Sequence, residues 1–184
     1  MDAYRRFAQQ FRGDRVWLGL EVDLCADGSL LLAPEDVAGW DLLVGSVHSI
    51  PGFAKGLTLP TEAERLFMRE VSRLVEHPIQ VLAHPFRFFR RAGIPTPTHL
   101  YGPLADLLAQ HGVAAEVNFH VNVPDPKFIQ ECVARGVRIA LGCDSHDLVE
   151  TAELAPHLAV LEAAGIERGD LARVLYRPDA EGQR

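Results

Sequence analysis

The stretch RIALGCDSHD, residues 138–147, begins as a run of apolar and small residues and stops abruptly at Asp144, with His146 two places on. A short, nearly continuous apolar run of this kind reads as a strand covered on both faces. Its ending reads two ways. Asp, Ser and Asp are ordinary loop and helix-capping residues, whereas a carboxylate beside an imidazole also suits a metal ion. The choice turns on whether other strands end alike. The run spans 137–144, and four more share its character: RVWLGLEV at 15–22, DLLVGSVH at 41–48, IQVLAH at 79–84 and GVAAEVNF at 112–119.

Longer amphipathic segments separate these runs. TEAERLFMREVSRLVEH, 61–77, opens with Thr61 and Glu64 at capping-box spacing behind Pro60. PLADLLAQHG and DPKFIQECVARG end on Gly112 and Gly136, and a further helix over roughly 150–164 ends at Gly165. One hairpin is expected within EVDLCADGSLLLA, 21–33, with its turn at Asp27-Gly28. Strand–helix alternation predicts an α/β fold, a parallel sheet with outer helices, either open or closed into a barrel. With about 30 residues per unit, five or six units fit in 184 residues. A full eight-unit barrel takes about 250, so the chain is short for one.

Composition sets the remaining bounds. An apolar fraction of 48% and a charged fraction of 23% are those of an ordinary water-soluble protein. No apolar run approaches the roughly 18 residues of a membrane span, and the polar start MDAYRRFAQQFRGDR does not read as a secretory signal. The net charge of −7 gives no general electrostatic reason to bind nucleic acid. Cys25, Cys132 and Cys143 have no paired spacing and form no zinc knuckle, so a cytoplasmic location is expected.

In parallel α/β folds the active site gathers at the carboxyl ends of the strands. Those ends here carry Glu21, His48, His84, Glu116 with Asn118, and Asp144 with His146. Taken singly, each has a structural role to hand: a hydrogen-bonded His, an ion-paired Glu, an Asn that braces a loop, an Asp that caps a helix. Together they would line one rim, where a cation relieves the repulsion between carboxylates. Nitrogen and oxygen ligands without Cys suit Zn, Mn or Fe, and a carboxylate such as Glu21 can bridge two ions. Beyond His84, HPFRFFRRAG places Arg87, Arg90 and Arg91 on an expected loop over the site, where an Arg fork suits phosphate; a solvated basic loop with half-buried phenylalanines is the plainer reading. Lys55 is a further candidate anion ligand on a loop after His48, or simply an exposed Lys. Asn118 is weighed as a substrate contact. His120, four residues after Glu116, is the remaining histidine within reach of the rim.

GLEVDL, DLLVGSVHSIP, VLAHP, AAEVN and ALGCDSH, in this order and at these intervals, resemble the successive motifs of the polymerase and histidinol phosphatase (PHP) domain family of metal-dependent phosphoesterases. The resemblance spans about residues 10–165. It implies a distorted α/β barrel holding up to three metal ions and a metal-activated hydroxide that attacks a phosphate ester, histidinol phosphate being the best-known small substrate. By the same resemblance Glu21 is the bridging carboxylate, His48 and His84 hold one ion, Asp144 a second, and His146 lies near a third. Glu21 and Asp144 would be the catalytic carboxylates.

The sequence also departs from that pattern. Family members begin with a His-x-His pair on the first strand, and no histidine precedes Glu21 here. The expectation is therefore one PHP-like domain over 1–184 that lacks the family's first strand or strands, either an active hydrolase or a degenerate, non-catalytic scaffold keeping one metal site. A barrel missing strands exposes a sheet edge and apolar side chains, so a homo-oligomer, or a partner completing the barrel, is expected. The expected ligand is a small phosphorylated molecule, with neither nucleic acid nor membrane as a partner.

Overall fold

A computed structural model describes residues 2–11, 13 and 16–178. Helix α1 (Asp2–Gln9) precedes strand β1 (Gly19–Val22), the short helix α2 (Pro34–Val37) and β2 (Leu42–Gly45). Then come α3 (Pro60–Leu74), β3 (Val81–Leu82), α4 (Arg87–Ala92), α5 (Tyr101–His111), β4 (Ala114–Asn118), α6 (Pro126–Ala134), β5 (Ile139–Gly142), α7 (Ala155–Ala163) and α8 (Leu171–Val174). The five strands form one sheet in the order β1-β2-β3-β4-β5, every pair parallel. Leu175 adds a single parallel bridge to Ile139 beyond β5. No helix among the described residues is long and apolar enough to cross a membrane.

Each expected apolar run contains its strand, though the paired part is shorter than the run; Arg15, which opens the first run, lies outside the described residues. Register brings the strand ends level, with Glu21 opposite Val44, Gly45 opposite Leu82, Leu82 opposite Ala115 and Asn118 opposite Gly142. Leu43, Leu82, Ala115, Val117 and Ile139 of the sheet are all buried, as are Leu66, Val71 and Leu74 of α3, Leu104 and Leu108 of α5, Ile129 of α6 and Leu161 of α7. This core is continuous with the strands, so it fixes where their ends project.

Four local expectations are corrected. The capping box at Thr61 and Glu64 does not form: Leu59 is the N-cap, no side chain caps the helix, and Pro60 takes its first turn, where a missing N–H costs nothing. The helix expected over roughly 150–164 begins at Ala155, because the Asp147 side chain accepts from the Val149 and Glu150 amides and holds the preceding segment in turns. The hairpin reduces to one antiparallel bridge, Leu24 with Leu30, closed around Gly28. The segment after His84 is a helix, not a loop, and Phe86, Phe88 and Phe89 are all buried. Their rings pack into a cluster with Phe67, Tyr101 and Phe128, at centroid distances of 5.0 Å for Phe67–Phe89 and 5.1 Å for Phe86–Phe128. That aromatic anchorage drives α4 into the core, and with it Arg87, which is only 5% exposed. The helices α5, α6 and α7 do stop ahead of Gly112, Gly136 and Gly165, all of positive φ.

Candidate metal centre

The strand ends converge as register requires, and they do so in two groups. Ligand-type atoms of Glu21, His48 and His84 all lie within 4.8 Å of one another, and those of His120, Asp144 and His146 form a second such set. In the first group Glu21 Oε1 is 3.1 Å from His84 Nε2 and 3.5 Å from His48 Nε2. Asp23, two residues beyond Glu21, faces the other side of His48: its Oδ2 lies 2.8 Å from Nδ1 and its Oδ1 accepts from the His48 amide at 3.3 Å. Ser46 donates to the same Oδ1 at 3.1 Å. A carboxylate on Nδ1 fixes the tautomer with its proton there, leaving the Nε2 lone pair directed at Glu21 and His84.

His84 is buried and held by its backbone. Its amide donates to Glu116 Oε2 at 2.7 Å, and Asn118 Nδ2 donates to the same oxygen at 3.2 Å. With φ of +30° for His84 and +68° for Phe86, the backbone on both sides of Pro85 is left-handed, a conformation that costs about 1–3 kcal/mol per residue and persists only where surroundings impose it. Asp144, at +48°, is held likewise. Two of the five non-glycine residues of positive φ among the described residues, His84 and Asp144, present the site, while Phe86, Val121 and Ala152 do not. Gly142, just before Asp144, is where Glu116 needs room: a Cβ there would overlap the carboxylate and lie 2.7 Å from its Cδ.

In the second group Asp144 Oδ1 lies 3.4 Å from His146 Nε2, and the His120 and His146 rings stack at 4.2 Å. Asn118 Oδ1 accepts from the His120 amide at 2.8 Å, and Glu150 Oε2 accepts from the His146 amide at 3.0 Å. Between the groups stands Arg87. Its Nη1 donates to Asp144 Oδ2 at 2.8 Å, and its Nη2 lies 2.8 Å from His48 Nε2 and against His84 Nε2.

Electrostatics follow these contacts. The His84 hydrogen bond, with the charges on His84 and His48, outweighs burial and holds the Glu21 carboxyl below its ordinary range. Burial works to raise that of Asp144, but the hydrogen bond and charge of Arg87, aided by His120 and His146, bring it below the usual value. Burial dominates at Glu116 and, with the charge on Glu21, raises its carboxyl despite the bonds from His84 and Asn118. Two carboxylates are thus kept ionised at the rim while a third, behind them, is pushed toward neutrality.

No family model matches the chain, and no curated protein matches it. The geometry must therefore carry the chemistry on its own. Glu21, His48, His84, Asp144 and His146 are brought together. Arg87 is too, though as a buried fork and not on a loop. Asn118 is buried and braces Glu116 and His120. Lys55 and Arg90 are not brought in. The Lys55 Nζ donates to the Arg91 carbonyl at 2.8 Å, and Arg90 is exposed beside Ile94, Thr96, Asn122 and Val123. Sequence reasoning missed Asp23, which had a signal, since strand alternation puts it on the same face as Glu21. His157, read from the sequence as a surface or structural residue, is buried, and its Nε2 bonds the Gly142 carbonyl at 2.9 Å, tying α7 to the end of β5.

Proposed function

We propose that this chain is a metal-dependent hydrolase of the PHP type, acting on a phosphate ester of a small molecule. The observation that carries the reading is the set Glu21, His48 and His84. Ligands about 2.1 Å from an ion at tetrahedral angles sit about 3.4 Å apart; Glu21 Oε1 stands 3.1 and 3.5 Å from the two Nε2 atoms. A Zn, Mn or Fe ion supplies a Lewis acid there and a water made acidic enough to ionise near neutrality. The chain does the rest. Asp23 orients His48, Glu116 fixes the His84 backbone, and Glu21 and Asp144 bring the negative charge that favours a cation. Asp144, with His120 and His146, offers a further ligand set across the rim, and the Arg87 fork is the cation placed to meet a phosphate. We read the sheet as part of an incomplete barrel whose outer β1 edge, unpaired among the described residues, meets a second copy of the chain. Leu31 beside it is 70% exposed.

Metal content by plasma mass spectrometry, on protein purified without chelator or affinity metal, tests the reading. At least one equivalent of Zn, Mn or Fe is expected, lost in H84A and reduced in D144A, together with metal-dependent hydrolysis of p-nitrophenyl phosphate. A wild type that is empty and stays empty after incubation with these ions defeats it. One observation favours a second reading, a non-catalytic scaffold: the Arg87 guanidinium already supplies a cation to His48, His84 and Asp144. In that case the metal-free protein is the working form and no hydrolysis appears.

A further inference from the structure

The Arg87 guanidinium has an unusual set of partners. Arg carries only donors and stays charged at any working pH. Its approach to His48 Nε2 and His84 Nε2 therefore requires a lone pair on each, the state in which imidazole binds a metal. The two Nη2 protons match those two lone pairs; the two Nη1 protons match Asp144 Oδ2 at 2.8 Å and the His120 carbonyl at 3.5 Å. Glu21 Oε1, 3.1 Å from His84 Nε2, accepts a hydrogen bond when that nitrogen carries its proton and faces a lone pair when Arg87 donates there. Two acceptors that close repel unless a positive charge lies beside them, and Arg87, with a side chain 6% exposed, provides it.

We propose that Arg87 is the resident cation of this site: it occupies the His48 and His84 lone pairs, and a divalent ion must displace it to bind them. The inference rests on the metal-site reading above and adds to it a competition. A lone pair cannot serve an Nη2 proton and a metal ion together, so ion uptake frees Nη2 while Nη1 can stay on Asp144. The aromatic anchorage of Phe86, Phe88 and Phe89 keeps the backbone of α4 in place, so the guanidinium moves by side-chain rotation alone and stays within reach of the rim. Arg87 thereby does two things. It lowers the site's affinity for metal, and it gives the carboxylate–imidazole cluster, of which only His84 is buried, a counter-charge.

The test is a zinc titration in competition with a chromogenic chelator, on wild type and R87M, alongside thermal unfolding of both in excess EDTA. R87M keeps much of the length and apolar stem but has no charge. The expected result is zinc binding at least ten-fold tighter than wild type, and a lower melting temperature in EDTA that zinc restores. Equal or weaker binding by R87M overturns the proposal, while the metal-hydrolase reading survives if the wild type still takes up zinc. Binding by R87M alone supports the proposal and defeats the hydrolase reading; binding by neither defeats both. If R87M does not fold, R87K carries the test, because an ammonium keeps charge but loses the fork. Tighter zinc binding than wild type supports competition, and equal or weaker binding overturns it.

Discussion

Asp23 touches neither Glu21 nor His84, yet it decides which nitrogen of His48 is free. Its carboxylate accepts from Nδ1 at 2.8 Å and from the backbone amide at 3.3 Å, which holds the ring with Nε2 toward the rim. Outer partners of this kind commonly change metal affinity by about 10–100-fold. D23A is expected to weaken zinc binding by that order while leaving the fold intact, read as a titration midpoint with a circular dichroism control. An unchanged midpoint would make Asp23 a loop brace only. At this scale the sequence was readable where one titratable residue closed each strand: Glu21, His48, His84 and Asp144 all meet at the rim. It was unreadable where the contact came from outside a strand end. Arg87 sits in a basic, aromatic segment that looks solvated until the three neighbouring phenylalanines are known to be buried.

The elements that matter most are β4 and β5, whose ends meet at Glu116 and Gly142. Glu116 reaches across to hold the His84 amide, and it can do so only because residue 142 has no side chain. G142A forces a Cβ into the carboxylate, so either the strands part or Glu116 swings away. Overpacking of this sort costs about 1–3 kcal/mol, and urea unfolding of G142A is expected to show that loss; a cost near zero would mean that Glu116 is free to move and does not fix His84. The strands themselves were legible as short apolar runs, most plainly β3 and β4, where both faces are covered, whereas β1 keeps Gly19 and Glu21 exposed. Helix starts were less so. The Asp147 turn overrides a pattern that local spacing alone assigns to helix, since a side-chain bond to the backbone competes directly with the first helical turn, and at Pro60 α3 starts without the cap that Thr61 and Glu64 suggest.

At the scale of the whole molecule, the parallel five-stranded sheet with outer helices agrees with the strand–helix alternation of the sequence. What alternation cannot give is closure, because pairing between first and last strands depends on strand number and tilt. The outer edge of β1 carries unpaired backbone among the described residues, beside a groove lined by Leu20, Leu30, Leu31, Leu32 and Val37. Edges of this kind associate unless covered. Sedimentation velocity at micromolar concentration is expected to give twice the mass of one chain, and a monodisperse monomer would count against the dimer.

The strictly sequential strand order also sets a timetable. Each strand pairs with the one made just before it, so the sheet can grow in the direction of synthesis as the chain leaves the ribosome. Glu21, His48 and His84 all belong to the first three strand ends, which are made before β4 and β5, although Glu116 fixes the His84 backbone only once β4 has joined. Asp144 arrives last, with β5. During that interval a nascent chain holds two imidazoles and a carboxylate with Arg87 close by in sequence, only three residues after His84. If the metal reading proposed above holds, an internal cation encoded so near these side chains would keep a half-made centre from capturing whatever ion the cell offers first.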